Sequence, residues 1–418
     1  VLRLFCPASS SNKHFTFAAL QMVEMVQKSG SIYTPKFWAL CSSSFLFSSS
    51  FNMLIPELPA YLSSMGGAAY KGYIIGLFTL TAGLSRPFSG RLTDTVGRVP
   101  VMVIGSFVCV VCSLLYPMLT TVAGFLLLRL FHGFSTGFKP TATAAYIADV
   151  IPFNRWGEAM GIHGLCFSTG LAIGPAIGGL ITAHYSIDFL FYASALFALA
   201  SIIILFNLKE THPEKQRFHF SLLQLKWKDV LEPLVLPAAI VTFLGYISYG
   251  AILTLIPDWS EHLGISNKGT FFVVYTLSSL LVRFVSGRLS DRKGREFVLR
   301  IAFVLNVISV TALGLASSPA LLLSAAFLYG ISTGLFSPAS SAWTADLSSE
   351  SHRGRGMATM YIALEAGIGL GAMVAGWVFQ DYLERVPFIF YGCAVMNVFG
   401  LVYLVIRQKT YSSTQKIV

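Results

Sequence analysis

Glu365 is the residue best suited to proton chemistry, a lone carboxylate flanked by Ala and Gly near the middle of an apolar run at 356–380. An ionisable group inside so long an apolar segment is costly and is by default a functional candidate. Such a carboxyl group can bind and release protons or touch a bound compound, with burial setting the balance. Its plainer role would be a neutral acid in a helix-to-helix hydrogen bond. Arg129 and His132 stand three residues apart, hence on one face of a helix, and His163 follows early in the next apolar run. An imidazole titrates near neutrality, although either histidine could serve packing alone. Lys139 reads as an anion contact or as a cation snorkelling to the inner surface.

Other patterns carry less. Cys109 and Cys112 have the spacing of a redox or zinc pair, but they sit mid-helix with no second pair or histidine of ligand spacing beside them, so packing is expected and no metal. The GIGLG run at 367–371 lies inside an apolar helix rather than after a strand, and is dismissed as a dinucleotide loop. No GxxxxGK[ST] motif occurs, which argues against direct ATP drive. Clustered nucleophiles, bases or ligands of an enzyme are not found, and every loop is short for a receptor's sensing domain.

The elements that must hold these residues follow from composition. The chain is 55% apolar and only 11% charged, against about 25% charged in a soluble domain. Lipid is therefore the expected solvent for most of it. The net charge of +10 sits in short clusters between apolar runs, as in loops facing an anionic leaflet, and nucleic acid is not expected. Apolar runs fall at 37–60, 72–90, 99–118, 122–147, 157–183, 187–207, 234–256, 269–289, 297–317, 319–346, 356–380 and 387–406. Each can cross a hydrocarbon core of about 30 Å, and they are too continuous for barrel strands. The expected fold is all-α, with twelve transmembrane helices in two six-helix halves.

Placing both termini in the cytoplasm collects most Lys and Arg inside and leaves only Lys71, Lys268 and Arg385 outside. The expected organisation is a disordered leader at 1–35, with a start at Met22 or Met25 as one reading, then an N-terminal half at 36–207. A cytoplasmic linker at 208–233, with a short amphipathic helix through Phe218, Leu222, Leu225 and Trp227, leads to a C-terminal half at 234–406 and a tail at 407–418.

The two halves are copies. GRLTDTVGR at 90–98 returns as GRLSDRKGR at 287–295, an offset of 287 − 90 = 197 residues. The same offset carries Arg86 and Ser89 onto Arg283 and Ser286, Gly133 and Gly137 onto Gly330 and Gly334, and Asp149 onto Asp346. It also carries Gly170, Gly174 and Gly179 onto Gly367, Gly371 and Gly376. One register kept through four helices indicates two halves of parallel topology. Within each turn, Gly90 and Gly97 permit a tight reversal, and Asp94 and Arg98 place opposite charges four residues apart. Arg98 could pair with Asp149 across the inner surface; Arg295 could do the same with Asp346, beside Asp291. Gly170, Gly174 and Gly178 form a small-residue stripe, with Gly179 next to it, suited to close helix approach. Pro175 is expected to bend its helix. The copies differ where Pro175 faces Ala372 in register and where Glu365 faces Ser168.

With these motifs the chain resembles the major facilitator superfamily. Gly90, Asp94, Gly97 and Arg98 match its signature between the second and third helices. Arg129, Gly133 and Gly137 resemble its fourth-helix pattern; Gly170, Gly174, Pro175, Gly178 and Gly179 resemble the fifth-helix pattern of its drug and metabolite antiporters. The resemblance implies a secondary transporter that acts by alternating access and exports a small organic compound against protons. Proton-coupled uptake of a sugar or organic acid is the alternative, and a membrane receptor or membrane-embedded enzyme the remote one. It further implies that Asp94, Arg98 and Asp149 latch the outward-facing state and that Arg129 takes part in proton transfer. The expected setting is a multi-pass protein of the cell membrane, acting as a monomer among lipids, with a small-molecule substrate and no cofactor beyond the proton gradient. Drug antiporters often carry a deep carboxylate in the first helix; here 41–52 offers only Ser and Asn, which directs attention to Glu365. Glu57 and Asp258, each after Ile-Pro, suit gating near the outer mouth. Among many aromatics, Trp343 and Tyr361 are the preferred cavity contacts.

Overall fold

The structure, a computed structural model, describes residues 33–152, 155–211, 217–219, 222, 230–348 and 353–415. Most of the leader and of the amphipathic segment, including Leu225 and Trp227, lies outside these residues. Among the described residues run twelve long helices: α1 (Pro35–Asn52), α2 (Lys71–Thr95), α3 (Arg98–Leu115), α4 (Val122–Val150), α5 (Trp156–His184), α6 (Ile187–Leu205), α7 (Leu236–His262), α8 (Thr270–Lys293), α9 (Arg295–Gly314), α10 (Pro319–Leu347), α11 (Arg353–Phe379) and α12 (Val386–Gln415). A two-turn helix, Leu58–Ser64, follows α1 after a break at 53–57. Local chemistry starts several of them. Thr34, Thr121, Ser186 and Ser318 accept backbone N–H bonds at the starts of α1, α4, α6 and α10, and Pro35 and Pro319 occupy first-turn positions.

Eight of the helices are long and apolar enough to cross a membrane on composition alone. Helix α8, bent by 50° between 283 and 285, makes a ninth if taken as one span, and α1, α2 and α4 fall short because they carry serines, Arg86, Arg129 and Lys139. The interior is accordingly hydroxyl-rich. Ser43 bonds Ser201, and Ser194 meets both Ser50 and Ser113, linking α1, α3 and α6. Large apolar side chains such as Leu84, Leu180, Leu196, Phe206 and Phe388 point outward. This inversion of the soluble pattern suits a lipid solvent, in which helices associate through small residues and interhelical hydrogen bonds.

Both halves use the same pairings: α1 packs on α5 and α6 as α7 packs on α11 and α12, and α2 on α4 as α8 on α10. Between halves, α2 packs on α11 and α5 on α8. The apolar clusters divide by depth. At the face opposite the repeated turns, one cluster spans both halves, from Met53, Leu54 and Ile75 to Ile256, Phe271, Ala372 and Phe379. At the turn face there are two clusters, one within each half, around Leu40, Met102 and Tyr146 and around Val241, Phe303 and Trp343. The molecule is sealed across its midline at one face, and each half keeps its own core at the other.

Candidate functional site

The site begins at the seam between α2 and α11, where small residues bring the backbones together. Gly72 meets Ala372 and Gly376, Gly369 packs on Thr79, and a Cβ on Gly83 would stand 3.3 Å from the Glu365 side chain. At the end of this seam nearer the repeated turns Arg86 Nη2 donates to Glu365 Oε1 at 2.7 Å, with side chains 11% and 10% exposed. The Arg86 guanidinium also lies 4.7 Å from the centre of the Tyr361 ring, one turn before Glu365. Glu365 is therefore the carboxylate half of a buried ion pair that joins the two halves near mid-membrane. Breaking such a pair on one side leaves an uncompensated buried charge, so the two groups depend on each other.

The internal symmetry places a second arginine at the mirrored seam. Arg283 on α8 donates through Nη1 to Ser168 Oγ on α5 at 3.0 Å. Ser168 is the counterpart of Glu365, and Arg283 that of Arg86.

The other candidates gather inside the N-terminal half. Arg129 Nε donates to the Ile74 carbonyl at 2.9 Å, its guanidinium stacks on Phe78 at 4.5 Å, and Nη1 reaches the Tyr116 hydroxyl at 3.4 Å. The Tyr116 hydroxyl and His132 Nδ1 are 3.1 Å apart, and His132 Nε2 is 3.2 Å from Cys109 Sγ. Cys109 is thus a neighbour of the histidine, and no cluster of metal-binding side chains occurs among the described residues. His163 Nε2 sits 2.9 Å from Ser44 Oγ on α1. Lys139 does not snorkel: it is 1% exposed, donates to Ser43 Oγ at 2.9 Å and to Ser201 Oγ, and lies over Phe47. Backbone and serine oxygens inside the bundle are nearer to its short reach than either surface. Trp343 is also away from the midline; it belongs to the turn-face cluster of the C-terminal half, under the Arg407 guanidinium. Of the two preferred aromatics only Tyr361 stands at the seam.

At the repeated turns, Arg98 Nε donates to Asp149 Oδ2 at 2.9 Å and its Nη1 lies 3.3 Å from Asp94. Arg295 does the same with Asp346 at 2.9 Å and also contacts Asp291. Both pairs stay within one half. Gly97 and Gly294, at φ +127° and +92°, supply the reversal into α3 and α9; around Gly90 and Gly287 the space is open. The first turn has an added clamp: Glu210 accepts the N–H groups of Arg98 and Val99, both at 3.0 Å, and Thr211 donates to Asp149 at 2.6 Å. On α5, Gly170, Gly174 and Gly178 lie against α1 at Phe45, Ser49 and Met53. Pro175 and Gly179 face the other half, at Gly269 and Asn267. In the second half Gly367 and Gly371 lie against α7, while Gly376 turns to Gly72.

At the opposite face Lys71 crosses the midline to Asp258, at 2.8 Å, and to Asp381. Glu57 is buried without joining this cluster. Sequence reasoning missed the roles of Arg86, Arg283, Lys71 and Glu210. The usable signal was a charge inside an apolar run for the first two, noticed only as part of a repeated Arg-x-x-Ser.

Comparison with known proteins gives a consistent answer. A family model described as Major Facilitator Superfamily matches residues 40–273 and 238–417. Multidrug resistance protein 2 of Bacillus subtilis (strain 168) is 25% identical over 379 residues, 87% of this chain and 94% of its own. The multi-drug resistance efflux pump PmrA homolog of Lactococcus lactis is 29% identical over 314 residues, 72% of this chain and 76% of its own. The crystal structure of the human organic anion transporter MFSD10 (TETRAN) superposes with a TM-score of 0.70 at 20% identity, covering 89% of this chain and all of that one.

Proposed function

Because the chain belongs to the major facilitator superfamily, we propose that this membrane transporter works by alternating access, exporting small organic compounds in exchange for protons. The export direction rests on its similarity to multidrug efflux proteins. The turn face is the cytoplasmic one in this reading. It holds Lys36, Arg98, Arg155, Arg295 and Arg355, against Lys71, Lys268 and Arg385 at the opposite face. The arrangement is then inward-facing, closed outside by the shared apolar cluster and the Lys71 cluster, with the halves parted inside. In keeping with this, neither turn reaches across to the other half.

The observation that carries the coupling is the ion pair of Arg86 and Glu365, because it joins the halves and can be dissolved by one proton. Protonating Glu365 removes the charge that holds Arg86, and α2 is freed from α11. Deprotonation restores the attraction and returns the halves. No cofactor enters this cycle: one elementary charge moved across 100 mV supplies about 2.3 kcal/mol. Arg129 and His132 lie nearer the outer face on α4 and serve the N-terminal half as a hydrogen-bonded brace. The test is flux of fluorescent amphiphiles in proteoliposomes under an imposed pH gradient. Glu365→Gln should lower gradient-driven flux about tenfold or more, equivalent to about 1.4 kcal/mol of lost differential stabilisation. Full gradient-driven flux in that variant would overturn the assignment.

A further inference from the structure

The two mirrored seams differ in charge. At the α2–α11 seam the arginine meets a carboxylate; at the α5–α8 seam Arg283 meets only a serine hydroxyl. Nε is buried without a hydrogen-bond partner in both arginines, but only Arg86 has a carboxylate; none contacts the Arg283 side chain among the described residues. A guanidinium carries five N–H donors in a planar fork that matches an anion such as carboxylate. Leaving that fork one hydroxyl in a membrane interior is costly unless something else fills it.

The wider charge balance points the same way. At least seven residues from either end of their helices stand Arg86, Arg129, Lys139 and Arg283, with Arg407 where the apolar part of α12 ends, against Glu365 as the one carboxylate so deep among the described residues. Glu365 is spent on Arg86. Arg129 and Lys139 are enclosed within the N-terminal half, 1% exposed each, so Arg283 is the cation left facing the midline. Around it are aromatic surfaces. Tyr246, Tyr249 and Tyr275 form a run of rings from α7 to α8, with neighbouring centres 6.3 and 5.8 Å apart, and Tyr275 precedes Arg283 by eight residues on α8.

We propose that Arg283, with Ser168 beside it and the Tyr246, Tyr249 and Tyr275 rings on the same side of the seam, is the recognition point for the anionic group of an aromatic organic acid. This inference rests on the transporter reading, in which the midline between the halves is the substrate path, and it names the substrate class. The acid's charge takes the place at Arg283 that Glu365 takes at Arg86. Its ring system lies on the tyrosines, which provide flat apolar faces with polar rims.

Binding of fluorescein, an aromatic anion at neutral pH, to protein in nanodiscs tests this by fluorescence polarisation, with cationic rhodamine 6G as the comparison. Wild-type protein should bind fluorescein in preference to rhodamine 6G. Arg283→Gln should weaken fluorescein binding about tenfold or more, and Arg283→Lys should recover part of it. Ser168→Glu should do the same as Arg283→Gln while leaving the cation intact, since it rebuilds the neutral pair of the other seam; gel filtration confirms that each variant remains folded. Equal fluorescein binding by wild type and both neutralised variants, or preference of the wild type for rhodamine 6G, overturns the proposal. Gradient-driven flux separates the two readings. Rhodamine 6G flux that depends on Glu365, with no fluorescein binding, fails this inference alone. Arg283-dependent fluorescein binding, with no gradient-driven flux of either dye, fails the coupling reading alone.

Discussion

Glu365 and Arg86 are separated by 279 positions in the chain yet lie 2.7 Å apart. Removing one partner of a buried pair typically costs about 3–5 kcal/mol because the other charge is stranded. Arg86→Glu alone should therefore lower the unfolding temperature in detergent, and adding Glu365→Arg should restore most of the loss. A double variant no more stable than the single would show that the pair contributes nothing to joining the halves. Glu365 was legible in the sequence because a carboxylate in an apolar run stands out by composition alone. Its partner was not, since the hydropathy pattern says that Arg86 is in a helix but not which distant helix it faces. Lys139 failed for a related reason. Its expected route to the surface assumed a bare helix, whereas serines of α1 and α6 surround it with acceptors.

At the scale of elements, periodic glycines were the most informative residues. The stripe of Gly170, Gly174 and Gly178 indicated a close helix contact before any partner could be named, and the partner is α1. A Cβ on Gly174 would stand 2.7 Å from the Ser49 carbonyl oxygen, whereas Gly164 on the same helix has nothing within 4 Å. Gly174→Val should lower stability by about 1–3 kcal/mol through overpacking. Gly164→Ala should be neutral or slightly stabilising, since alanine is the better helix former. Thermal unfolding of the two variants checks the contrast, and equal effects would mean that α5 and α1 do not pack so closely. The run lengths made the helices themselves legible. The break after Asn52, within a run read as 37–60, was hidden because apolar residues continue through it.

At the scale of the molecule, the 197-residue offset made the two-half plan readable, since duplicated patterns fold into duplicated contacts. What it could not show is which face is closed, because that depends on contacts between residues far apart in the chain. Closure at that face depends on Lys71, whose ammonium bridges α2 to α7 and to the turn that follows α11. Lys71→Gln should weaken that closure. A cysteine at Thr79, 4% exposed in the seam below, should then react faster with a membrane-impermeant thiol reagent added at that face. Unchanged labelling relative to Thr79→Cys in an otherwise native chain would mean the apolar cluster holds the face shut without the charges.

The segment between the halves anchors itself twice before crossing. Glu210 and Thr211 are fastened to the first turn, and Glu232 is fastened to Arg355 and Thr359 of the second half. Each of these anchors belongs to the half on its own side. The covalent thread between them mainly raises the effective concentration of one half near the other. Two separate polypeptides, divided between residues 222 and 232, would carry these anchors and keep Leu222 in the N-terminal turn-face core, and would meet through the shared apolar cluster, the two seams and the Lys71 ion pairs. Continuity of the chain then guarantees equal numbers of the two halves rather than their structure.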